Sequence, residues 1–573
     1  MDRTLFTIIL VSVAFLGLSS CSKSVKNIDI VVTTDTHGNL FSIDPISGQV
    51  KKNSLSQVAK LVDSLRKQSQ TLLFDNGDLL QGSPEVYYLN YQHQSEIHPI
   101  VEIMKTLGYN AMVIGNHDIE CGPEIYHKLK HQLSIPWLAA NIIDTKRGEP
   151  YFKPYHVFRI HGIKIAVLGL TTPGVPQWLP EKLWQGLKFD DMVESARKWM
   201  KILRDKEQPD FVIGLFHSGW DATYGNADPS APYNENASLR VAAEVDGFDL
   251  IFLGHDHQTK KFSVINVSGK NVIIIDCGSH ALSVGRARLS LNKGTISLDS
   301  AWYENISTLP PLQSFDQKFD YLLSHISTWI NQPIAYLKGS INTFDALLKP
   351  SAYINLIHKV QLVNSNASIS LASPFTYHKN FNNDTIRLAD VFTLYPYENQ
   401  LYSVKLSGKE IQQILTESYN RWFNPKFPNE KLLVYEKIDN KVRWSKPPFT
   451  FVTAGGVQYT VKFQNNKPIE INNIKLTSGE NLLPDKTYMV ALNSYMASGG
   501  DGYLTDLINL NLEELKRRVI SISGKEIRWL IVDYLQTMKT IEADDTQNWR
   551  VEPHESWIKT IEHEKVLFFN QQP

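Results

Sequence analysis

The sequence predicts an α/β amino-terminal domain followed by a separate α+β domain, with one helix between them. Two patterns carry this reading. From Ile28 to about Leu309, apolar β-branched runs (IDIVV, TLLF, AMVI, KIAVLGL, DFVIGLF, DLIFL, NVIIID) alternate with amphipathic stretches such as Leu55 to Lys67 and Met192 to Lys206. That alternation, the mark of sheets covered by helices on their faces, stops at Pro310-Pro311.

Length demands more than one domain as well. The chain has 573 residues, whereas single cores stop growing at about 250 to 300 residues. Hydrophobic residues at 42% and charged residues at 20% are ordinary for a folded chain, which argues against disorder, collagen and coiled coil. Lys and Arg number 58 against 59 Asp and Glu, a net charge of -1. No positive surplus exists to neutralise a nucleic-acid backbone, so nucleic-acid polymers are excluded as expected partners.

Taken in order, residues 1–20 read as a leader: the apolar run LFTIILVSVAFLGL follows Arg3 and is too short to span a bilayer comfortably. It ends in Leu18-Ser19-Ser20-Cys21, which resembles the bacterial lipobox, so Cys21 is the expected lipid anchor of an exported protein facing the periplasm or cell surface. Cys121 and Cys277 remain, and the sequence does not say whether they pair. The first domain is expected over 21–312. Phe315 to Ile330 has apolar residues at helical spacing before Pro333, which predicts a linker helix over 313–331. Residues 332–573 carry shorter strands, turn-like clusters such as Asn380 to Asp384, and helix candidates at 408–421 and 524–538.

The chemistry is expected where polar residues follow apolar strands. Asp35-Thr36-His37 follows IDIVVTT, Asp78 follows TLLFDNG, Asn116-His117 follows AMVIG, His217 follows DFVIGLF and His255-Asp256-His257 follows DLIFLG. In an open α/β sheet the carboxyl ends of the strands line one crevice, so these side chains are expected to converge. Asp, Asn and His without thiolate suit two divalent cations such as Mn, Zn, Fe or Co. Asp78, directly after Gly77, is the natural bridge, because a shared carboxylate holds two cations about 3.5 to 4 Å apart. Singly, each of these residues reads as an ordinary loop His or turn Asp. Independent structural roles, however, would not select the same end of every strand.

These blocks resemble those of the metallophosphoesterases of the 5'-nucleotidase family: Asp35-x-His37, Gly77-Asp78-x-x-Gln81-Gly82-Ser83-Pro84, Gly115-Asn116-His117, His217-Ser218-Gly219 and Gly254-His255-Asp256-His257. The resemblance implies a four-layer αββα sandwich with a nucleotide-binding second domain. It implies that Asp35, His37, Asp78 and His257 hold one cation, and that Asp78, Asn116, His217 and His255 hold the other. His117 would stabilise charge on the phosphate or protonate the leaving oxygen. Family members place an Asp or Asn three residues after that His to orient it. Here Glu120 stands there, either orienting His117 with a longer reach or acting as a helix N-terminal acid.

In the second domain, Leu394-Tyr395-Pro396-Tyr397-Glu398-Asn399 and Gly499-Gly500-Asp501-Gly502-Tyr503 resemble the two loops that sandwich a nucleotide base. Tyr397 and Tyr503 are the expected stacking rings, with Asn399 beside them. Leu371-Ala372-Ser373-Pro374-Phe375 lacks the Arg that 5'-nucleotidases carry there and resembles the 2',3'-cyclic-nucleotide 2'-phosphodiesterase and 3'-nucleotidase branch. The resemblance therefore implies a nucleotide phosphoesterase of that branch. A 5'-nucleotide or nucleotide-sugar hydrolase is the alternative within the chemistry, and a lipid-anchored nucleotide-binding protein without turnover the alternative outside it. No oligomeric state follows from the sequence.

Overall fold

The structure is a computed structural model, describing residues 26–224, 227–292, 294–438, 441–464 and 466–569. Cys21 and its leader lie outside the described residues. The first domain holds two six-stranded sheets. The first runs in the order Thr295–Asn305, Ser283–Asn292, Lys26–Thr33, Gln70–Asp75, Ala111–Val113, Trp137–Leu138; the second runs Thr259–Ile265, Asn271–Cys277, Leu250–Leu253, Phe211–His217, Ile163–Thr171, Tyr155–Ile160.

Period-two alternation explains why the sheets stack. Ile28, Ile30, Val32, Leu72 and Phe74 point to an inner core shared with Ile213, Leu215, Leu250 and Phe252 of the other sheet. Val31 and Leu73 point outward onto the helices Leu55–Arg66, Pro99–Leu107 and Pro123–Gln132. Val212, Phe216, Ile251 and Leu253 point outward on the far side, against Met192–Ile202 and Ser238–Glu244. The result is four layers, helix, sheet, sheet, helix.

This is the αββα sandwich that the family resemblance implies, and it refines the single-sheet argument for convergence. The ligand-bearing strand ends belong to two sheets, not to one open sheet. Asp35, Asp78 and Asn116 follow parallel strands of the first sheet, and His217 and His255 end or follow parallel strands of the second. The strands are buried on both faces and read as nearly continuous apolar runs, so their sequences do not show which sheet each joins.

The helix Gln313–Ile330 packs Phe315, Phe319, Leu322 and Ile326 into the outer core of the first domain. Its Asp316 accepts hydrogen bonds from Ser42 Oγ at 2.8 Å and Ser56 Oγ at 2.7 Å. At its last turn Ile330 joins a core of the second domain, and Trp329 packs against it. The linker is thus a rigid extension of the first domain.

The second domain is built on a mixed five-stranded sheet in the order Thr453–Gly455, Ile369–Ala372, Thr487–Asn493, Gln400–Ser407, Val519–Glu526. Gly408–Trp422 starts from a capping box in which Ser407 and Glu410 satisfy each other's backbone N–H groups. Ile527–Met538 starts later than the 524–538 pattern suggested, because residues up to Glu526 complete the edge strand. Within the Asn380–Asp384 cluster, Asn380–Asn382 pairs with Ser340–Asn342 around the buried Phe381, and Asn383-Asp384 connect it to the strand Thr385–Arg387.

Tyr503 overturns its assigned role. It is 0% exposed within the second domain's core, its hydroxyl donates to the Thr450 carbonyl at 2.7 Å, and the Arg421 guanidinium lies 4.4 Å from its ring centroid. A base has no face of this ring to stack on. Tyr503→Phe should cost about 1 kcal/mol of stability through the lost hydrogen bond, and Tyr503→Ala about 3 to 5 kcal/mol through the cavity. Denaturant unfolding followed by fluorescence measures both. A fully stable Tyr503→Ala protein with only a raised KM for nucleotides would return the ring to the substrate.

Candidate functional site

The two sheets bring their carboxyl-terminal turns together, and two clusters of lone pairs form there. Ligand atoms of Asp35, His37 and His257 lie within 4.8 Å of one another, as do those of Asp78, His217 and His255. In the first cluster His37 Nε2 faces His257 Nε2 at 3.0 Å, and His257 Nε2 lies 3.4 Å from Asp35 Oδ1. In the second, His217 Nε2 lies 3.1 Å from both Asp78 Oδ2 and Asn116 Oδ1, and His255 Nδ1 lies 2.9 Å from the same Asn116 oxygen.

The outward ring nitrogens explain what these contacts mean. His217 Nδ1 donates to the Asn76 carbonyl at 2.7 Å and His37 Nδ1 to the Gln81 carbonyl at 3.1 Å, which leaves their Nε2 lone pairs pointing inward in the neutral ring. Around His217 Nε2, the carboxylate of Asp78 and the amide oxygen of Asn116 then face a bare nitrogen with no hydrogen between them, so that set calls for a cation; the set of Asp35, His37 and His257 gathers two imidazoles and a carboxylate in the same way. Imidazole and oxygen donors without thiolate fit a first-row divalent metal. With only protons available, Asp78 is held well below the usual carboxylate range: burial opposes this, and the facing His217 and His117 outweigh it. Burial alone would depress His217, yet Asp78 and Asp35 lift it to about 10.

The backbone is bent to aim these groups. Asp35, His37, Asp78, His255 and His257 all have left-handed φ, between 47° and 84°. Such non-glycine conformations cost roughly 1 to 3 kcal/mol each and collect at ligand clamps. Glycines make the approach possible: a Cβ on Gly115 would overlap the Asp78 carboxylate, and one on Gly254 would overlap Thr34 Oγ1 and Asp35 Oδ2. Asp118 locks two of the turns together. Its carboxylate accepts the backbone N–H groups of Asp78 (3.0 Å), Leu79 (3.0 Å), Leu80 (2.9 Å) and Gly115 (2.8 Å). The sequence reading gave Asp118 no role. Its signal was an acid two residues after Asn116, at the start of a short helix.

His117 sits beside the clusters without joining either, its ring centroid 5.4 Å from that of His37. Its backbone N–H donates to Asp78 Oδ1 at 2.8 Å. Its Nδ1 donates to Glu120 Oε2 at 2.5 Å, so the longer acid does reach the ring. Burial would lower His117, but Asp78 and Glu120 raise it to about 10. Two further side chains border the clusters. Trp178 lies against His255 with ring centroids 5.6 Å apart, and His280 lies 5.1 Å from His37 and 5.5 Å from His257. Cys121 and Cys277 are separate buried thiols, which settles the pairing question.

On the second domain, Tyr397 is 44% exposed and Tyr495 is 42% exposed. Phe449 stands between them, its centroid 6.4 Å from Tyr397 and 6.2 Å from Tyr495, and Phe375 packs 5.1 Å from Tyr397. An open aromatic surface therefore exists, formed by Tyr397 with Phe375, Phe449 and Tyr495 instead of Tyr503. Sequence reading missed Phe449 and Tyr495, which come from segments far apart in the chain. Asn399 is committed internally: its side chain accepts from Ser494 Oγ at 3.0 Å and its carbonyl from Ile527 N–H at 2.7 Å. It anchors the Tyr397 loop.

Comparison with known proteins follows the same division. Residues 28–259 match a family model described as calcineurin-like phosphoesterase, and residues 333–506 match that of the 5'-nucleotidase C-terminal domain. The chain is 24% identical to the trifunctional nucleotide phosphoesterase protein YfkN of Bacillus subtilis (strain 168), covering 92% of this chain but only 39% of that longer protein. It is 26% identical to the 2',3'-cyclic-nucleotide 2'-phosphodiesterase/3'-nucleotidase of Yersinia enterocolitica, covering 87% of this chain and 84% of that one. A crystal structure of a Staphylococcus aureus protein assigned as a 5'-nucleotidase, in complex with alpha-ketoglutarate, shares the fold. Its TM-score is 0.73 at 22% identity, with 92% of this chain and 100% of that chain covered. Two family models matched in order, over a four-layer domain whose strand ends carry the paired acceptor clusters, show that the chain belongs to the 5'-nucleotidase family of calcineurin-like phosphoesterases.

Proposed function

We propose that the protein hydrolyses 2',3'-cyclic nucleotides to 3'-nucleotides and then removes the 3'-phosphate. Asp35, His37, Asp78 and His257 would hold one divalent cation and Asp78, Asn116, His217 and His255 the other, with Asp78 shared. Bound there, the cations supply charge stabilisation for phosphate oxygens and an activated nucleophile at neutral pH. The protein's own contribution is orientation and a proton. Glu120 holds the imidazole of His117 by its Nδ1–H, leaving Nε2 as the proton donor to the departing ribose oxygen as the phosphorus–oxygen bond breaks. The exposed ring of Tyr397, with Phe449 and Tyr495, would receive the base.

The observation that favours the cyclic ester is the floor beneath Tyr397. The strand Ile369–Ala372 runs into Ser373-Pro374-Phe375, and the Phe375 ring packs 5.1 Å from Tyr397 in the segment where the resemblance implies that 5'-nucleotidases carry an Arg. The likeness to the Yersinia enterocolitica protein over most of both chains supports the same reading. Phosphate or product release from 2',3'-cyclic AMP, 3'-AMP, 5'-AMP and a nucleotide sugar tests it: the cyclic ester should lead, and a clear preference for 5'-AMP would replace it with a 5'-nucleotidase.

We further propose that the protein is exported and held at the membrane by acylated Cys21. No helix among the described residues is long and apolar enough to cross a membrane. Cys21→Ser should therefore move the protein to the soluble fraction, and continued membrane attachment of the variant would refute the anchor.

Separate measurements divide the roles of Asp78 and His117. Asp78→Asn should abolish turnover together with bound metal, because an amide cannot supply the bridging charge. His117→Ala should keep both metal equivalents while kcat falls by about 10² to 10⁴. Loss of a cation from the His117 variant would make that residue a ligand. Tyr397→Ala should weaken nucleotide binding by about 1 to 3 kcal/mol, seen in KM. Bis(p-nitrophenyl) phosphate, which has no base, should be spared, and equal losses on both substrates would show the ring to be structural.

A further inference from the structure

A cavity of about 380 Å³ lies between the domains, beside His117 but apart from the aromatic surface of Tyr397, Phe449 and Tyr495. Glu120, the partner of His117, forms part of its wall, and so does Trp178, the ring packed on His255. It therefore lies next to the His117–Glu120 pair and to the ring packed on His255. Trp529 and Tyr87, with ring centroids 5.0 Å apart, line it from the second and first domains respectively.

The polar lining is rich in acceptors: Glu120, Glu398, Glu526 and Gln400 contribute, beside the donors Lys182, Lys525, Ser494 and the Trp178 and Trp529 indoles. Glu526 Oε2 and Gln400 Oε1 are buried without a hydrogen-bond partner, as is Trp529 Nε1, so the wall leaves two acceptors and one donor unmatched. The nearby cations do not match the two acceptors. Arg528 lies 3.6 Å from Glu398 and spends its guanidinium on the Tyr395 and Pro396 carbonyls. Lys525 pairs with Asp533 at 2.5 Å, and Lys182 is exposed at the rim. Burial lifts Glu526 to about 7, and burial together with Glu526 lifts Glu398 to about 8, against the opposing pull of Arg528.

We propose that this cavity binds an alkylammonium group carried on the alcohol side of the phosphoester, with Glu526 and Gln400 as its acceptors and Trp178, Trp529 and Tyr87 as its aromatic walls. Carboxylates supply the charge, and ring faces add cation–π attraction that a neutral isostere forgoes. An anionic or phosphate-bearing group would be repelled by the same wall. The proposal rests on the phosphate being held at the paired clusters, as in the phosphoesterase reading, but not on turnover.

The test is calorimetric binding to the metal-loaded full chain. A ladder of ω-aminoalkyl phosphates of increasing length is compared with n-alkyl phosphates of equal length, and p-nitrophenyl phosphate hydrolysis is followed in parallel. At the length that spans from the clusters to Glu526, the amine should bind about tenfold tighter than its alkyl partner. Glu526→Gln should erase that preference while leaving alkyl phosphate binding unchanged. Equal affinities at every length would overturn the proposal, as would a preference that survives in Glu526→Gln. A preserved amine preference in a protein that hydrolyses nothing would instead sink the hydrolase reading and leave the cavity assignment standing.

Discussion

Lone pairs facing lone pairs are the constraint on which the first domain's active face depends. His217 and His37 give their Nδ1 protons to backbone carbonyls, so both rings present a bare nitrogen to carboxylate, amide or imidazole acceptors about 3 Å away. In the Asp78 cluster the neutral His217 ring has no proton to offer the facing oxygens, and a cation satisfies them. The strained, left-handed turns at Asp35, Asp78 and His255 and the side-chain-free glycines beside them make sense only in service of that convergence. Two sheets packed through one apolar core keep the turns in register, because neither sheet can shift without unpacking Ile30, Phe74, Ile213 and Phe252.

His117 and Asp118, adjacent in the chain, divide the remaining work. Asp118 turns inward and gathers backbone N–H groups from two separate turns, which fixes Asp78 relative to Asn116. His117 turns outward toward Glu120 and the interdomain space, where Glu398 of the second domain lies within electrostatic reach. The charge on the proposed proton donor is therefore set by both domains. The linker helix, packed into the first domain through four apolar residues, gives the second domain a firm base from which to approach.

The second domain separates its aromatic residues by exposure. Tyr503, Tyr419 and Phe451 build its core, whereas Tyr397 and Tyr495 stand open around Phe449. The glycine-rich turn before Tyr503 admits the ring to the interior, with Gly502 in the left-handed region. A motif that reads as a ligand loop in one dimension thus serves packing here. The neighbouring Phe449, from a segment without any motif, stands at the open face.

Much was legible in one dimension. The apolar runs were strands, the stripe from Phe315 to Ile330 was a helix, and the polar residues after the strands did gather in space. Hydrophobic periodicity and turn chemistry are local properties, so local sequence determines them. What the sequence left open was every question of partnership. Strands buried on both faces do not announce their sheet, so the apolar pattern by itself did not show the junction of two sheets at the paired clusters, which only the family resemblance implied. Exposure is a property of the neighbours, so Tyr397 and Tyr503 looked alike until the core enclosed one of them. Asp118 gained its role only when three backbone partners, Asp78, Leu79 and Leu80, arrived from another turn. The interdomain cavity exists only because two independently folded surfaces meet, and contacts between residues hundreds of positions apart are decided by packing, which no local pattern encodes.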